Sequence, residues 1–296
     1  LRPSKDLADS LASMITGNVE FIMIDEQKVI YETALHLAAK AQTGMKQVLL
    51  VEGGPGTGKS VVAVNLLVEL TKRNLVCQYV SKNAAPRFVY AQKLSGLKNN
   101  GRLKNLFRGS GSYIDTDENT FDVLIVDEAH RLNEKSGLYG NLGENQVAEL
   151  INAAKLTIFF IDEDQRVTFA DIGSKKAIYH FAKQSMASVV ETELTSQFRC
   201  NGSDGYLAWL DDVLQVRETA NKLLDSGQYE FCVYDDPNSM RAEIERLNAV
   251  RNKSRLVAGY CWNWVSKSRP DMDDIVISEF EFAAKWNLAS DGSGWI

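Results

Sequence analysis

Short apolar runs recur along the chain at Val48–Val51, Val76–Val80, Val123–Val126 and Leu156–Ile161. Each is rich in branched side chains and bounded by polar or turn residues, as expected of strands buried on both faces. Between them the apolar positions change period. Val62, Leu66 and Leu70 share one face of a helix directly after the first run. Strands alternating with helices predict an α/β fold, a parallel sheet flanked by helices on both faces.

Upstream, Leu7, Leu11, Met14 and Ile15 mark a helix within residues 4–16, and "FIMIDEQKVIYETALHLAAKA" predicts a short apolar entry and a second helix with Asp25 as N-cap. Two stretches break the rhythm, 94–120 and 133–145, both rich in Gly and Asn, and both read as long functional loops or arms. After Asn201 the pattern restarts. It gives a helical segment around Trp209 and Leu214, a strand candidate "YEFCVYD", a helix from Ser239 to Val250, and further strand candidates "RLVAGYCW" and "DIVISEF". The expected division is a first domain over 1–205, a helical linker over 206–228, and an incomplete second domain over 229–296. Trp262 and Trp264 are expected to pack the core of that second domain. The chain starts at Leu1 rather than Met. It therefore reads as a piece of a longer protein fused to further domains.

Charge and cysteine usage narrow the classes. The 296 residues carry a net charge of −6. That disfavours a general nucleic-acid coat but leaves room for a local basic track. No run is long and apolar enough to span a membrane, and no secretory leader stands at the start. Cys77, Cys200, Cys232 and Cys261 form no C-x-x-C pair. They read as reduced thiols of a cytoplasmic protein rather than zinc ligands. A monomer is expected.

The chemistry begins at "GGPGTGKS". Gly53, Gly54, Pro55, Gly56, Thr57, Gly58, Lys59 and Ser60 match the phosphate loop G-x-x-x-x-G-K-[ST], with a strand before and a helix after. Glycines let several backbone N–H groups converge on one anion, and the helix adds the positive end of its dipole. Lys59 is expected on the outer phosphates of ATP and Ser60 on Mg2+. "FDVLIVDEAH" then supplies carboxylates at a strand end. Asp127 is the candidate metal carboxylate, and Glu128 the base that orients and deprotonates water. There is no N-K-x-D guanine-reading motif, which disfavours a GTP switch.

D-E-A-H after a phosphate loop resembles the second motif of helicases. "IDEDQR" puts Asp162 and Gln165 in the D-x-x-Q spacing of superfamily 1 helicases, with Ile161 where that family normally has Gly. "ELTSQFRC" is similar to the next motif and places Arg199 at the arginine that contacts the γ-phosphate. Gln27 stands where the family has its adenine-reading glutamine. The strings "IDEQKVIYE", "GGPGTGKS", "VDEAHRL", "DEDQRV", "LTSQFRC" and "AGYCWNWVSK" together resemble the Schlafen-type DNA/RNA helicase domain over roughly residues 21–266. The resemblance implies a RecA-like ATPase core, the start of a second such domain, and a single-stranded DNA or RNA partner. Ser81, Lys82 and Asn83 match a segment that holds a nucleic-acid phosphate in helicases. Lys98, Arg102, Lys104 and Arg108, with Phe107 and Tyr113 nearby, offer cations and aromatics of the kind that bind single strands. The rival readings are an AAA-type ATPase that remodels proteins and a module that binds ATP without hydrolysing it.

Overall fold

A computed structural model describes residues 23, 25–84, 87, 90, 105–137, 140–196, 204–220, 222–224, 227, 229–252, 254–259 and 261–286. The chain separates into two compact units, Leu1–Gln228 and Tyr229–Ile296.

In the first unit, α1 (Asp25–Ala41) precedes β1 (Gln47–Gly53), α2 (Lys59–Lys72) and β2 (Cys77–Ser81). The two-residue β3 (Phe107–Arg108), β4 (Phe121–Asp127), α3 (Gln146–Ala153) and β5 (Ala154–Ile161) follow. Then come α4 (Lys175–Gln184), β6 (Ser188–Leu194) and α5 (Asp204–Val213). The six strands form one parallel sheet in the order β3-β2-β4-β5-β1-β6. Every strand therefore ends at the same edge of the sheet, and the loops that follow them meet there.

The core is two-sided. Val48, Leu50, Leu124, Val126, Phe159 and Ile161 pack with Val147, Leu150 and Ile151 of α3 and with Ile178 and Ala182 of α4. Their strand neighbours Leu49, Val51, Ile125 and Ile158 are equally buried and point to the opposite face. There α1 and α2 lie against each other and against the sheet. β5 stands between β1 and β4. This brings the residue after β5 between the phosphate loop and the D-E-A-H segment.

The strand candidates at Val48, Val76, Val123 and Leu156 correspond to β1, β2, β4 and β5. The helix expected with Asp25 as its N-cap is α1, in which Asp25 is the first helical residue rather than the cap before it. The helix expected over residues 4–16 lies outside the described residues. The stretch 105–120, expected as part of a free arm, is built into the domain. Phe107 and Arg108 pair with Tyr79 and Val80 as the edge strand β3. Phe107 and Tyr113 are buried. Phe107 stacks on Tyr90 with centroids 5.2 Å apart, and the Tyr113 hydroxyl donates to Gln78 Oε1 at 2.7 Å. These aromatics fill the core and are not surface platforms for a base. In the described part of the loop 133–145, the buried Gln146 side chain accepts from the N–H of Asn133 and donates to Ser136 Oγ.

The second unit holds α6 (Pro237–Arg251) and an antiparallel pair, β7 (Ile275–Ile277) with β8 (Phe282–Ala284). Asp236 caps α6 by accepting from the N–H groups of Asn238 and Ser239. "DIVISEF" thus contains a strand. The described residues of "YEFCVYD" and "RLVAGYCW" do not form strands, and Val233 and Val257 are exposed. A strand needs a hydrogen-bonding neighbour, and no described segment pairs with either run. Trp264 donates to Ser266 Oγ, and Trp262 lies 6.5 Å from Trp286; both tryptophans are exposed and do not pack a core as expected. Among the described residues no helix is long and apolar enough to cross a membrane.

Candidate functional site

The loop Gly54–Gly58 joins β1 to α2 at the sheet edge where the strands end. Gly58 has φ +86°, a left-handed conformation that favours glycine, and a Cβ there would stand 2.2 Å from Gln27 Nε2. Thr57 is buried and closes the loop by donating to Gly54 O at 2.9 Å. The N-cap position of α2 is Gly58, which has no side chain with which to cap the helix. An uncapped helix start facing a backbone cradle suits an anion. The Lys59 ammonium is buried within this loop, donating to the carbonyls of Gly53 and of Gly54, the latter at 2.8 Å.

Asp127 ends β4 and is buried. Its Oδ2 accepts from Ser60 Oγ at 2.8 Å and from the Tyr79 hydroxyl, and its Oδ1 accepts the Glu128 N–H at 3.1 Å. Burial and then the Glu128 charge push the Asp127 carboxyl above its ordinary range, against the hydrogen bonds from Tyr79 and Ser60 and the Lys59 charge. Glu128 itself sits in a left-handed turn, φ 57°. Burial, the largest influence, would raise its pKa as well, but the hydrogen bond from His130 together with the charge of Lys59 and the other surroundings holds Glu128 below the ordinary carboxylate range. His130 Nε2 lies 3.0 Å from Glu128 Oε2, while Nδ1 accepts the N–H of Asp162 at 3.2 Å. A nitrogen that accepts carries no proton, so the ring proton is on Nε2 and points at Glu128.

Asp162 follows β5. Its Oδ2 lies 3.8 Å from Lys59 Nζ and accepts from Gln165 Nε2 at 2.7 Å. Burial raises its pKa, and the Lys59 charge opposes that shift first among the surrounding groups. A continuous line therefore runs from the phosphate-loop lysine through Asp162 to Gln165. On the other side of the loop, Gln27 Nε2 donates to Thr57 O at 3.2 Å. Its neighbour Glu26 accepts from the N–H groups of Thr195 and Ser196 and from the Thr195 hydroxyl. Those bonds, the Thr195 hydroxyl foremost, hold Glu26 below its ordinary range.

The donor set fits Mg2+ with a nucleotide. One hydroxyl and one buried carboxylate converge, and the carboxylates of Asp127 and Glu128 repel one another in a way that a cation relieves. Among the described residues no group of three His, Cys, Asp or Glu side chains forms a metal centre of its own.

The fold thus brings together Gln27, the loop Gly53–Ser60, Asp127, Glu128, Asp162 and Gln165. Arg199, Arg102 and Lys104 lie outside the described residues, as does Lys98. Ser81 is buried at the end of β2, where its Oγ accepts the N–H of Asn83. Lys82 donates to Asn133 Oδ1 and Asp171 Oδ1, both at 2.8 Å. Arg108 is exposed at the sheet edge and donates to Asn105.

Sequence reasoning missed four participants. Tyr79 gave no signal beyond being an aromatic in a strand. His130 was visible only as a motif letter. Asp171 is buried and holds Lys82 together with Arg131, whose Nε lies 3.0 Å away. Gly173 was invisible: a Cβ there would fall 1.8 Å from Ala129 O.

The family described as Schlafen group 3, DNA/RNA helicase domain, matches residues 46–296. Solved structures similar to the chain include Pif1 helicase from Candida albicans, at 14% identity and TM-score 0.41, covering 78% of this chain and 55% of that one. AMPPCP-bound DnaA from Aquifex aeolicus shares 17% identity at TM-score 0.33, covering 78% of this chain and 64% of that one. Domain III of the Thermotoga maritima replication initiation protein DnaA shares 16% identity at TM-score 0.32, covering 80% and 90%. The chain spans little more than half the length of the Pif1 chain. No curated protein matches it.

Proposed function

The chain belongs to the Schlafen group 3 DNA/RNA helicase domain family, and from that premise we propose that it is a Mg-ATP-hydrolysing motor acting on single-stranded DNA or RNA. The observation that carries this reading is the meeting of Ser60 with Asp127 at 2.8 Å beside a Glu128 carboxylate that His130 holds at 3.0 Å. One arm of that arrangement would hold a metal, and the other would supply a base.

Lys59 leaves the loop carbonyls to bind the outer phosphate oxygens, and the first amides of α2 take the phosphates from below. Ser60 and Asp127 would hold Mg2+, which when bound would neutralise charge on the phosphates. Glu128 orients the attacking water and takes its proton, kept ionised and aimed by His130. Gln27 reads the adenine edge. Asp162 and Gln165 carry the state of Lys59 toward the nucleic-acid side. Arg199 completes the site at the γ-phosphate, and Ser81, Lys82, Asn83, Arg102, Lys104 and Arg108 contribute to the strand track. Residues 1–205 form the ATPase domain, 206–228 a linker and 229–296 the start of the second domain. The protein acts as a cytoplasmic monomer.

The test is steady-state ATP turnover with and without single-stranded DNA and RNA, beside Lys59→Ala. Stimulation by a strand and loss in the variant are expected. Binding without turnover supports a signalling module instead, and ATP-driven ring assembly supports a protein remodeller.

A further inference from the structure

Asp127 is held from two sides, and only one of them belongs to the phosphate loop. β2 and β4 are parallel neighbours, with Tyr79 opposite Ile125 and Ser81 opposite Asp127. From its place on β2 the Tyr79 side chain reaches the end of β4, and its hydroxyl donates to Asp127 Oδ2. The ring has no freedom to leave. It is 1% exposed and wedged against Tyr90 at 5.7 Å and Phe107 at 5.6 Å between centroids. A phenylalanine would fill the same space, so packing does not explain the hydroxyl. A buried hydroxyl is costly unless it is bonded, and its partner here is the Asp127 carboxylate.

The lone pairs show what the bond does. A carboxylate oxygen has two acceptor sites. Oδ2 uses both, one for Ser60 and one for Tyr79, while Oδ1 uses one for the Glu128 N–H. Of the four acceptor sites on the two oxygens, these three bonds leave one, on Oδ1. We infer that Tyr79 is a positioning residue that fixes the rotation of the Asp127 carboxylate, so that this single acceptor site on Oδ1 faces Mg2+ and its water. The inference rests on the reading of the site as a Mg-ATP site. Without Tyr79 the carboxylate keeps only Ser60 and the N–H of its own chain neighbour Glu128, whereas Tyr79, anchored in an aromatic cluster on the neighbouring strand, makes the orientation a property of the sheet. Partners that orient a metal ligand are typically worth 10–100-fold in metal affinity.

The experiment titrates MgCl2 against the protein and a fluorescent ATP analogue, in wild type and Tyr79→Phe, and measures nucleotide affinity in EDTA as well. Expected are an unchanged affinity in EDTA, an unchanged melting temperature, and a rise of about 10-fold in the Mg2+ concentration for half-saturation. Wild-type Mg2+ dependence in the variant overturns the role of Tyr79 and leaves the ATPase reading intact. A loss of affinity in EDTA to the same extent as with Mg2+ also overturns it, because the hydroxyl would then be supporting the loop. No Mg2+ dependence in the wild type overturns the Mg-ATP reading and this inference with it.

Discussion

His130 stands between Glu128 and the strand that carries Asp162: Nε2 is 3.0 Å from the Glu128 carboxylate, and Nδ1 accepts the Asp162 N–H at 3.2 Å. The imidazole is buried, so its removal takes away two fixed partners that solvent does not hold in place. His130→Ala leaves Glu128 without its donor and free to turn from the position of the attacking water. Misplacement of this kind costs up to about 100-fold in rate. The expected outcome is a fall in kcat of about 10–100-fold with ATP affinity within about 2-fold of wild type, read from turnover and equilibrium binding on one preparation. Equal loss of both would show that His130 only supports the fold.

Glu128→Gln separates binding from chemistry more sharply. The amide keeps the size and still accepts from His130 Nε2, but it cannot take a proton. Turnover is expected to drop by about 10²–10⁴-fold, while nucleotide affinity is retained or slightly raised. Single-turnover hydrolysis and filter binding of labelled ATP check the two halves.

Gly173 tests how closely the loops at the sheet edge are fitted. The Cβ of an alanine would sit 1.8 Å from Ala129 O and 2.9 Å from His130 Cα. Both are backbone atoms, so no rotamer relieves the clash. Ile172 also donates to Leu132 O at 2.8 Å, which ties the two segments together. Gly173→Ala is expected to lose about 1–3 kcal/mol of stability and to lower turnover by shifting His130. Thermal melts and ATPase rates check it, and an unchanged melting temperature would count against so close a contact.

How far the sequence revealed this arrangement depended on burial. β1, β2, β4 and β5 are covered on both faces, so their central residues are mostly apolar and the runs at Val48 and Leu156 announce themselves. β6 is an edge strand with Glu191 and Glu193 exposed; polar positions interrupt it, and it escaped notice. β3 has two residues and no pattern to show. Phe107 and Tyr113 looked like a binding surface because composition does not say which way an aromatic points. The phosphate loop, Asp127, Glu128 and Gln165 were legible because their chemistry demands fixed residue types at fixed spacing. Tyr79, Asp171 and Gly173 act through contacts between segments far apart in sequence, and no local pattern encodes those.

Asp171 carries the last prediction. Its carboxylate is fully buried and meets Lys82 at 2.8 Å, Arg131 at 3.0 Å, and the N–H groups of Val167 at 3.1 Å and Thr168 at 3.0 Å. Burial would raise its pKa, but the Lys82 ammonium and those N–H groups win and hold it at about 2. An unfolded Asp titrates near 3.9. The folded value is the lower one, so the stabilisation is complete above about pH 4 and disappears as pH falls through about 2. Asp171→Asn keeps the size but leaves Lys82 and Arg131 without their anion. At pH 7 it is expected to cost about 2 kcal/mol, and the gap from wild type is expected to shrink progressively between pH 4 and pH 2. Urea unfolding midpoints at pH 7, 4 and 3 measure this. A gap that stays constant across that range would mean that the hydrogen bonds of the carboxylate, rather than its charge, hold the D-E-A-H segment to the loop that follows Gln165.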